Sequence, residues 1–366
     1  MPTSSHQPSE DPALLAARTD DEGWSSAAAL VTTPAGTVLA FADGPGAEAR
    51  TGATSRFDLA SVTKAFVAVA AASVVDDGLL DLDAPVRETL DVPAADAGAT
   101  ARHLLTHCAG LRASSLAWRT TSDPARVLDD ALGPPVAPPG ETHRYSCLSF
   151  IVLGRLLEEL TGDPLDRVVG RRVAEPIGAA GLRWSPVGAG LEGAVPTEPG
   201  TPTGRVHDEL AAALARPVGN AGLFGTLDDV ARLAGLVAAR GAAGGRQVVT
   251  EASWRALVEP DAGARRAGAP WGQALGLRRG DPAFMATADQ VGHGGFTGTS
   301  FVVDLATGAS AVLLTNRVRG GRATSVEHRR RRLADLAARG GESARSPGGR
   351  HLGGASWPSR PTEVRG

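Results

Sequence analysis

The sequence predicts an α+β fold, in which an antiparallel sheet carries an inserted all-helical region. Three features predict it: strand-like segments at about 24–80, further strand-like segments at about 265–340, and helical patterns separated by glycine and proline loops at about 81–264. Strands at both ends of one domain can pair into a common sheet, which leaves the helical middle as an insertion. We therefore predict one domain, 24–340, between a flexible leader, 1–23, and a disordered tail, 341–366.

The N-terminal part of the domain contains a hairpin signal and a long helix signal. Two β-suited runs, 27–33 and 36–42, are joined by a Thr-Pro-Ala-Gly turn, which predicts a β-hairpin. Segment 61–76 is rich in alanine and valine and contains no helix breaker. It predicts a helix of about four turns.

The remaining elements follow the same logic. Segments 148–160 and 226–239 have helical patterns, and Thr226 followed by two aspartates is a capping signal. The predicted C-terminal strands are 273–278, 299–304 and 309–315. A Leu-Ala-Thr-Gly link between the last two is typical of a hairpin, and 325–339 predicts a closing helix.

Composition excludes several classes of protein. The 366 residues are 42% hydrophobic and 21% charged, as in soluble globular proteins, and a net charge of −3 gives no general attraction to nucleic acid or acidic membranes. The arginine run 329–332 is expected to be a solvated helix face. The longest nearly apolar run, 65–75, is far shorter than the roughly 20 residues of a membrane-spanning helix. Two cysteines are too few for a disulfide scaffold, and common zinc-binding spacings are absent.

The chain contains one lysine, Lys64, and one tyrosine, Tyr145, although it has 37 basic residues. A bias toward arginine should spare a lysine mainly where arginine cannot replace it. Arginine stays protonated at any working pH, whereas lysine can lose its proton. Lys64 is therefore a candidate for a role that needs a neutral amine.

The first candidate motif is Ser61-Val62-Thr63-Lys64, at the start of the predicted helix 61–76. Residues three apart share a helical face, so the amine can reach the serine hydroxyl and act as its base. Burial and the positive helix end are both expected to lower the lysine pKa, and the Ser61 N–H could stabilise an oxyanion. Alone, the motif also fits an ordinary surface helix start.

Two further motifs could complete such a site. Tyr145 precedes the predicted helix 148–160, and a tyrosine hydroxyl can transfer a proton to a leaving group. The segment His293-Gly294-Gly295-Phe296 precedes a predicted strand, where its glycines permit close approach to a backbone that could complete an oxyanion hole. Taken singly, the first also fits a helix start with a packed aromatic ring, and the second a tight turn.

In this order and spacing, the three motifs resemble the serine β-lactamase and penicillin-binding-protein superfamily. The closest match is its class C-like branch of β-lactamases, esterases and D-amino-acid peptidases, over roughly 25–340. Three further segments resemble landmarks of that branch: LLTHCAGL at 104–111, GNAGLFGT at 219–226 with DVARL at 229–233, and VHD at 206–208.

The resemblance implies an antiparallel sheet flanked by helices, with the site between the sheet and an all-helical subdomain. It implies that Ser61 is the nucleophile, that Lys64 is its base partner, and that Tyr145 shares the base role and protonates the leaving group. It places His293, Gly294 and Gly295 at the family's KTG or HTG triad, against the substrate. The backbone N–H groups of Ser61 and Phe296 would form the oxyanion hole.

Three positions depart from the β-lactamase pattern. Cys147 stands where these enzymes carry the Asn of Y-x-N, and a thiol lacks the paired donor and acceptor of an amide. His293 replaces the KTG lysine, which makes a fixed charge pH-dependent. Gly294 replaces a threonine whose hydroxyl would help to hold a substrate carboxylate. These changes weaken recognition of a carboxylate-bearing amide and favour an esterase.

We therefore expect a serine hydrolase that forms an acyl-enzyme with a small-molecule ester or amide, with esters favoured and without a metal or cofactor. The N-terminus has no signal-like apolar region, which predicts a cytoplasmic location. Neither nucleic acid nor a membrane is an expected partner, and the oligomeric state is not predicted. Three alternatives stay open: a β-lactamase or D-amino-acid peptidase, an acyltransferase, and a catalytically silent ligand-binding protein on this fold.

Several other residues have both a functional and a plain interpretation. Cys147 is expected to be a wall of the pocket rather than a nucleophile or a disulfide partner of Cys108. His107 could fix a loop through hydrogen bonds, and Asn220 could line the substrate pocket. Two pairs could lie at the site or serve only packing and capping: His207 with Asp208, and Trp118 with Trp271.

Overall fold

The computed structural model describes residues 9–15, 22–185 and 190–340. In these ranges the strands are β1 Ser9–Glu10, β2 Ser26–Thr33, β3 Gly36–Asp43, β4 Phe57–Asp58, β5 Arg183–Trp184, β6 Leu223–Gly225, β7 Ala242–Ala243, β8 Arg246–Gln247, β9 Gly272–Gln273, β10 Arg278–Arg279, β11 Gln290–Gly294, β12 Ser300–Asp304 and β13 Ser310–Thr315. The helices are α1 Thr63–Asp76, α2 Ala101–Leu105, α3 Pro124–Ala131, α4 Cys147–Thr161, α5 Leu165–Val169, α6 Glu175–Ile177, α7 Glu209–Leu214, α8 Leu227–Ala238, α9 Glu251–Val258, α10 Ala262–Arg266 and α11 Glu327–Ala338.

Strands from both ends of the chain form the main sheet, in the order β1-β3-β2-β13-β12-β11-β10-β9. Its neighbours are antiparallel except β1 and β3, which run parallel. The pair β2–β13 joins the two ends of the chain, with Leu30 opposite Val312. This confirms the predicted antiparallel sheet assembled from both ends.

Both faces of the central strands are buried. On β13, Val312 and Leu314 belong to the larger hydrophobic core, whereas Ala311 and Leu313 belong to a second core that includes Leu333 of α11. Alternate residues of a strand point to opposite faces, so each face has its own apolar partner. Helix α8 contributes to the larger core and packs on β12 and β13, so helices flank the sheet on both sides.

The inserted region is mostly helical, but it also carries the short strands β5, β6, β7 and β8. Strand β6 lies between β4 and β5 in a small three-stranded sheet. This small sheet matters for the site because β4 leads directly into the segment that contains Ser61. Thr226 caps α8 in a capping box with Asp229, as its sequence predicts.

The predicted strand 273–278 is wrong, because the segment folds back on itself. β9 and β10 pair antiparallel, with Gln273 opposite Arg278. Gly276 between them has a φ of +86°, and a Cβ there would lie 2.4 Å from the Cβ of Ala68 in α1. The glycine therefore permits both a tight turn and a close contact with α1, neither of which has a local signal.

The N-terminal segment also differs from its prediction where it is described. Ser9–Glu10 pairs with β3, and Leu14 and Leu15 are buried. Residues 1–8 and 16–21 of the predicted leader lie outside the described residues, as do 186–189 and the predicted tail, 341–366.

Candidate active site

Ser61 lies on a tight turn between β4 and α1. The turn is a 3₁₀ segment, Ala60–Val62, and Ala60 has a left-handed φ of +45°. The buried carboxylate of Asp58 accepts hydrogen bonds from the main-chain N–H groups of Ala60, at 2.8 Å, and His207, at 2.7 Å. Asp58 thus stabilises the strained turn through these two hydrogen bonds.

Lys64 lies one helical turn after Ser61 and points back to it. Its Nζ is 3.0 Å from Ser61 Oγ, 2.9 Å from the main-chain oxygen of Asn220 and 3.7 Å from Cys147 Sγ. The side chain has 0% exposure. The spacing of three therefore brings the amine and hydroxyl together as the helical pattern predicts.

The electrostatic environment of Lys64 differs from the sequence-based expectation, because its pKa is raised rather than lowered. Burial is the largest single influence and does lower the pKa, as expected. The electrostatic effects of Cys147 and then of Tyr145, with a hydrogen bond to Tyr145, outweigh burial. The amine is therefore mostly protonated at neutral pH, and its neutral form is a minor species there.

Tyr145 immediately precedes Ser146, the N-cap of α4, and its ring lies beside the lysine. The Nζ of Lys64 is 5.1 Å from the ring centroid, and the guanidinium carbon of Arg278 is 4.8 Å from it. The ring of His293 is 6.4 Å away between centroids. The structure thus brings all three sequence motifs together around one point.

His107 fixes the segment that carries Tyr145. Its backbone has a left-handed φ of +58°, and its Nδ1 accepts a hydrogen bond of 3.2 Å from the N–H of Ser146. Its main-chain oxygen accepts another, of 2.9 Å, from the N–H of Arg144. The ring also packs on Tyr145, with centroids 4.4 Å apart. Burial lowers the pKa of His107 well below its usual range, which keeps the ring neutral and able to accept.

The third motif lies at the end of β11. His293 is buried, and its Nδ1 is 2.9 Å from the main-chain oxygen of Gly294, while its Nε2 has no hydrogen-bond partner among the described residues. Burial lowers the pKa of His293 well below its usual range, followed by the effect of nearby Arg278. The lowered pKa disfavours the charged ring, so His293 does not replace the fixed positive charge of a lysine at this position.

The fixed charge beside His293 comes from Arg278 on the neighbouring strand. Its guanidinium carbon lies 4.8 Å from the Tyr145 ring centroid and 4.2 Å from that of Trp271. It also forms an ion pair of 2.8 Å with Asp281. Cation–π contacts of this kind favour a guanidinium, and Arg278 thereby links the rings of Tyr145 and Trp271.

Gly295 brings the glycine-rich segment against the turn that carries Ser61. A Cβ at Gly295 would lie 2.5 Å from the main-chain oxygen of Leu59 and 2.2 Å from Thr299 Oγ1, so only glycine fits. The hydroxyls of Thr299 and Thr297 donate to the main-chain oxygens of Leu59, at 2.9 Å, and Asp58, at 2.7 Å. The peptide unit after Gly295 is thereby held beside the turn that carries Ser61.

Cys147 and Asn220 support the lysine from the side of the helical insertion. Cys147 is half-buried at the start of α4, and burial raises the pKa of its thiol. Both cysteines of the chain are free. Asn220 has 0% exposure, and its Nδ2 donates to Asp208 Oδ1 at 3.2 Å. Asn220 therefore contacts Lys64 through its main-chain oxygen. Its buried side-chain Oδ1 has no hydrogen-bond partner among the described residues, and contact of this side chain with substrate stays a prediction.

His207 and Phe296 form the edge of the site. Their rings stack with centroids 5.6 Å apart, and Phe296 is 48% exposed. His207 Nε2 lies 3.2 Å from Glu198 Oε2. Asp208 caps α7 by accepting from the N–H of Ala211 at 2.8 Å. Of the two interpretations left open for this pair, His207 lies at the edge of the site, and Asp208 caps a helix.

A cavity of about 780 Å³ opens beside this edge. Trp118, Glu198, His207 and Arg322 are among its lining residues. Ser61, Lys64 and Tyr145 are not among its lining residues. An extended substrate could have its reacting bond at Ser61 and its remainder in this space.

Sequence analysis missed three charged residues around the site: Asp58, Arg278 and Glu198. Asp58 lies three residues before Ser61, but a carboxylate at that distance has no specific signal. Arg278 is one of many arginines, and its position depends on the pairing of β10 with β11. Within the described residues, no group of His, Cys, Asp or Glu side chains is suited to hold a metal ion. No described helix is long and apolar enough to cross a membrane.

Comparison with known proteins identifies the family. A family model described as Beta-lactamase matches residues 13–336. The chain is 33% identical over 307 residues to Esterase EstB from Burkholderia gladioli, which covers 71% of this chain and 77% of that protein. The chain therefore belongs to the beta-lactamase family.

Solved structures show the same fold. A penicillin-binding protein homolog from Caulobacter crescentus matches with a TM-score of 0.69 and 20% identity, over 92% of this chain and 99% of that one. EstCE1, described as a hydrolase with promiscuous acyltransferase activity, matches with a TM-score of 0.64 and 23% identity, over 86% and 94% of the two chains.

Proposed function

We propose that this serine hydrolase of the beta-lactamase family cleaves small esters through an acyl-enzyme on Ser61. One observation supports the proposal most directly: a fully buried lysine amine lies 3.0 Å from the serine hydroxyl. A base must be within hydrogen-bond reach of the proton that it removes, and this pair meets the requirement.

In the proposed reaction, Ser61 Oγ attacks the ester carbonyl and its proton passes to the pair formed by Lys64 and Tyr145. Because the two groups interact, the proton belongs to the pair rather than to either residue. The carbonyl oxygen becomes negative and is stabilised by the N–H groups of Ser61 and Phe296. The pair then protonates the leaving alcohol, and water releases the acyl group by the same steps in reverse order.

The preference for esters is supported by what surrounds the nucleophile. Cys147 offers a thiol where an amide would pair with a substrate amide, and Gly294 has no hydroxyl. Burial keeps His293 neutral, and the nearby charge of Arg278 is already paired with Asp281. An alcohol also leaves more readily than an amine, so an ester makes a smaller demand on the proton donor.

The similarity to Esterase EstB supports the same substrate class. The acyl acceptor is proposed to be water, and the likeness to EstCE1, which is described as having acyltransferase activity, makes transfer to another acceptor the alternative. A cytoplasmic location is also part of the proposal, and the two free thiols support it.

The test is a panel of p-nitrophenyl esters, the matching anilides and nitrocefin. Ser61→Ala serves as the blank, and Ser114→Ala, at an exposed serine, serves as the matched control. We expect ester turnover in the wild-type protein and in Ser114→Ala, none in Ser61→Ala, and little on the other substrates. Nitrocefin turnover faster than ester turnover would favour a β-lactamase, and binding of esters without turnover would favour a silent ligand-binding protein.

Labelling with a fluorophosphonate, followed by mass spectrometry, tests the nucleophile separately. The label is expected on Ser61 in the folded protein. A folded wild-type protein that hydrolyses esters but takes the label elsewhere would show that Ser61 is not the nucleophile.

A further inference from the structure

Arg330 contacts the main chain of the glycine-rich segment. It lies near the start of α11, and its Nη2 donates to the main-chain oxygens of Gly295, at 2.6 Å, and Thr299, at 2.9 Å. Both partners are carbonyl groups rather than carboxylates. The guanidinium is therefore used to hold the backbone of this segment.

The segment is a closed turn, and its geometry links the contact with Arg330 to the orientation of the Phe296 N–H. The oxygen of Gly295 also accepts from the N–H of Gly298, at 3.1 Å, and the N–H of Gly295 donates to the oxygen of Thr299, at 2.7 Å. In a planar trans peptide, the C=O and the following N–H point in opposite directions. A group that fixes the Gly295 carbonyl therefore also fixes the direction of the Phe296 N–H.

The charge of Arg330 adds to this geometric effect. Burial lowers the pKa of Arg330 to about 10, so the guanidinium remains protonated at neutral pH. Hydrogen bonds from a charged donor are shorter and stronger than neutral ones. Electron density drawn toward the Gly295 oxygen leaves the Phe296 N–H a better donor, because chains of hydrogen bonds polarise one another.

We propose that Arg330 is a positioning residue of the oxyanion hole. By holding the Gly295 carbonyl, it aims and polarises the Phe296 N–H toward the oxygen that becomes negative during acylation. The inference rests on the proposed ester hydrolysis at Ser61.

The experiment compares an aryl ester with its thiono analogue, in which sulfur replaces the carbonyl oxygen. Sulfur is a weak hydrogen-bond acceptor, so the preference for the oxygen ester measures the strength of the oxyanion hole. Arg330→Met removes the charged donor at similar side-chain length, and Arg330→Lys keeps a charge. The matched control is Arg331→Met, at the next and exposed arginine of the same helix.

We expect Arg330→Met to lower kcat/KM for the oxygen ester by about 10- to 100-fold, mostly in kcat. The preference for the oxygen ester should fall by a similar factor. Both values should fall less in Arg330→Lys, and both should be unchanged in Arg331→Met. A merely structural loss would lower the turnover of both esters equally.

Three outcomes separate the possibilities. An unchanged preference in a folded Arg330→Met protein, beside an active wild-type protein, would overturn this inference alone. If Arg330→Met does not fold, Arg330→Ala takes its place, and an unchanged preference there has the same meaning. A wild-type protein without ester turnover would overturn the proposed function, and this inference with it.

Discussion

The Nδ1 of His107 accepts a hydrogen bond from the N–H of Ser146, the residue between Tyr145 and Cys147. A loop histidine thus holds the start of α4 and, through it, the phenol that faces Lys64. His107 therefore positions Tyr145 although it does not itself contact Ser61 or Lys64 through a hydrogen bond that the structure describes.

His107→Ala is expected to lower both stability and activity. It leaves a buried N–H without a partner, at a cost of about 1–3 kcal/mol, and strains a left-handed backbone position. His107→Asn should lose less, because asparagine tolerates that backbone and offers an acceptor. Urea unfolding and ester kcat/KM measure both effects, with the exposed His328→Ala as control. Wild-type kcat/KM in His107→Ala would contradict the role in positioning Tyr145.

Lys64→Arg is expected to abolish acylation although it preserves the charge. Arginine does not give up its proton, and the fully buried site has no space for a larger group. The burst of p-nitrophenol should fall to the level of Ser61→Ala. The reverse exchange at an exposed position, Arg331→Lys, should leave the burst unchanged. If Lys64→Arg acylates at the wild-type rate, another group must be the base.

Tyr145→Phe is expected to lower kcat by roughly two to four orders of magnitude, the range for general acid–base groups. The ring contacts with His107 and Arg278 remain, so KM and the melting temperature should change little. Since the phenol helps to protonate the leaving group, an alkyl ester should lose more activity than a p-nitrophenyl ester. Equal losses on the two substrates would argue against a role in protonating the leaving group.

The activity is expected to rise with pH from neutral into the alkaline range. The pKa of Lys64 is raised, because Cys147 and Tyr145, with a smaller contribution from Asp208, outweigh the lowering by burial. Below that pKa the fraction of neutral amine, and with it kcat/KM, should increase about tenfold per pH unit. A pH profile of ester kcat/KM measures this increase. A plateau that begins near pH 6 would show that the base is already neutral there.

Asp58 is expected to stabilise the fold more at low pH than at neutral pH. Burial raises its pKa from 3.8 to about 6, against the opposing hydrogen bonds from His207 and Ala60. A carboxyl with a raised pKa contributes fully below its unfolded pKa, and the contribution is lost as the pH rises through the folded pKa. The shift of about two units corresponds to about 3 kcal/mol.

Urea unfolding between about pH 3.5 and about pH 7 tests this expectation. The free energy of unfolding of the wild-type protein, minus that of Asp58→Asn, should fall by about 3 kcal/mol over this range. The same difference for the exposed Asp91→Asn should show no such fall. A flat difference for Asp58 would contradict the raised pKa.

The sequence predicted those parts of the site that depend on local geometry. Ser61 and Lys64 meet because a helix brings residues three apart onto one face, and the hairpin of β2 and β3 follows from its turn. Arg278 and Arg330 reach the site only through strand pairing and helix packing, and nothing local distinguishes them from the other arginines.

The arginine run 329–332 is not the solvated face expected of it, because Arg329 is buried and Arg330 binds the main chain of Gly295. Two other wrong expectations, on the pKa of Lys64 and on the strand 273–278, have the same physical origin. The raised pKa of Lys64 depends on Cys147, which is 83 residues away in sequence. The hairpin in place of the strand 273–278 depends on the contact of Gly276 with Ala68. Such long-range contacts exist only in the folded chain, so a pattern of neighbouring residues does not contain them.

Helix α1 is packed on nearly every side, since the residues from Thr63 to Ala72 are all buried, whereas Phe296 at the rim is 48% exposed. Substitutions at the two places are therefore expected to have different effects. A change in α1 risks the fold together with the reaction, so this helix should vary little among functional descendants. A change confined to the exposed side chain of Phe296 is expected to alter what reaches Ser61, because the main-chain N–H of that residue is kept. This separation of a buried helix that carries Lys64 from an exposed rim would let related hydrolases differ in substrate while they keep the same reaction.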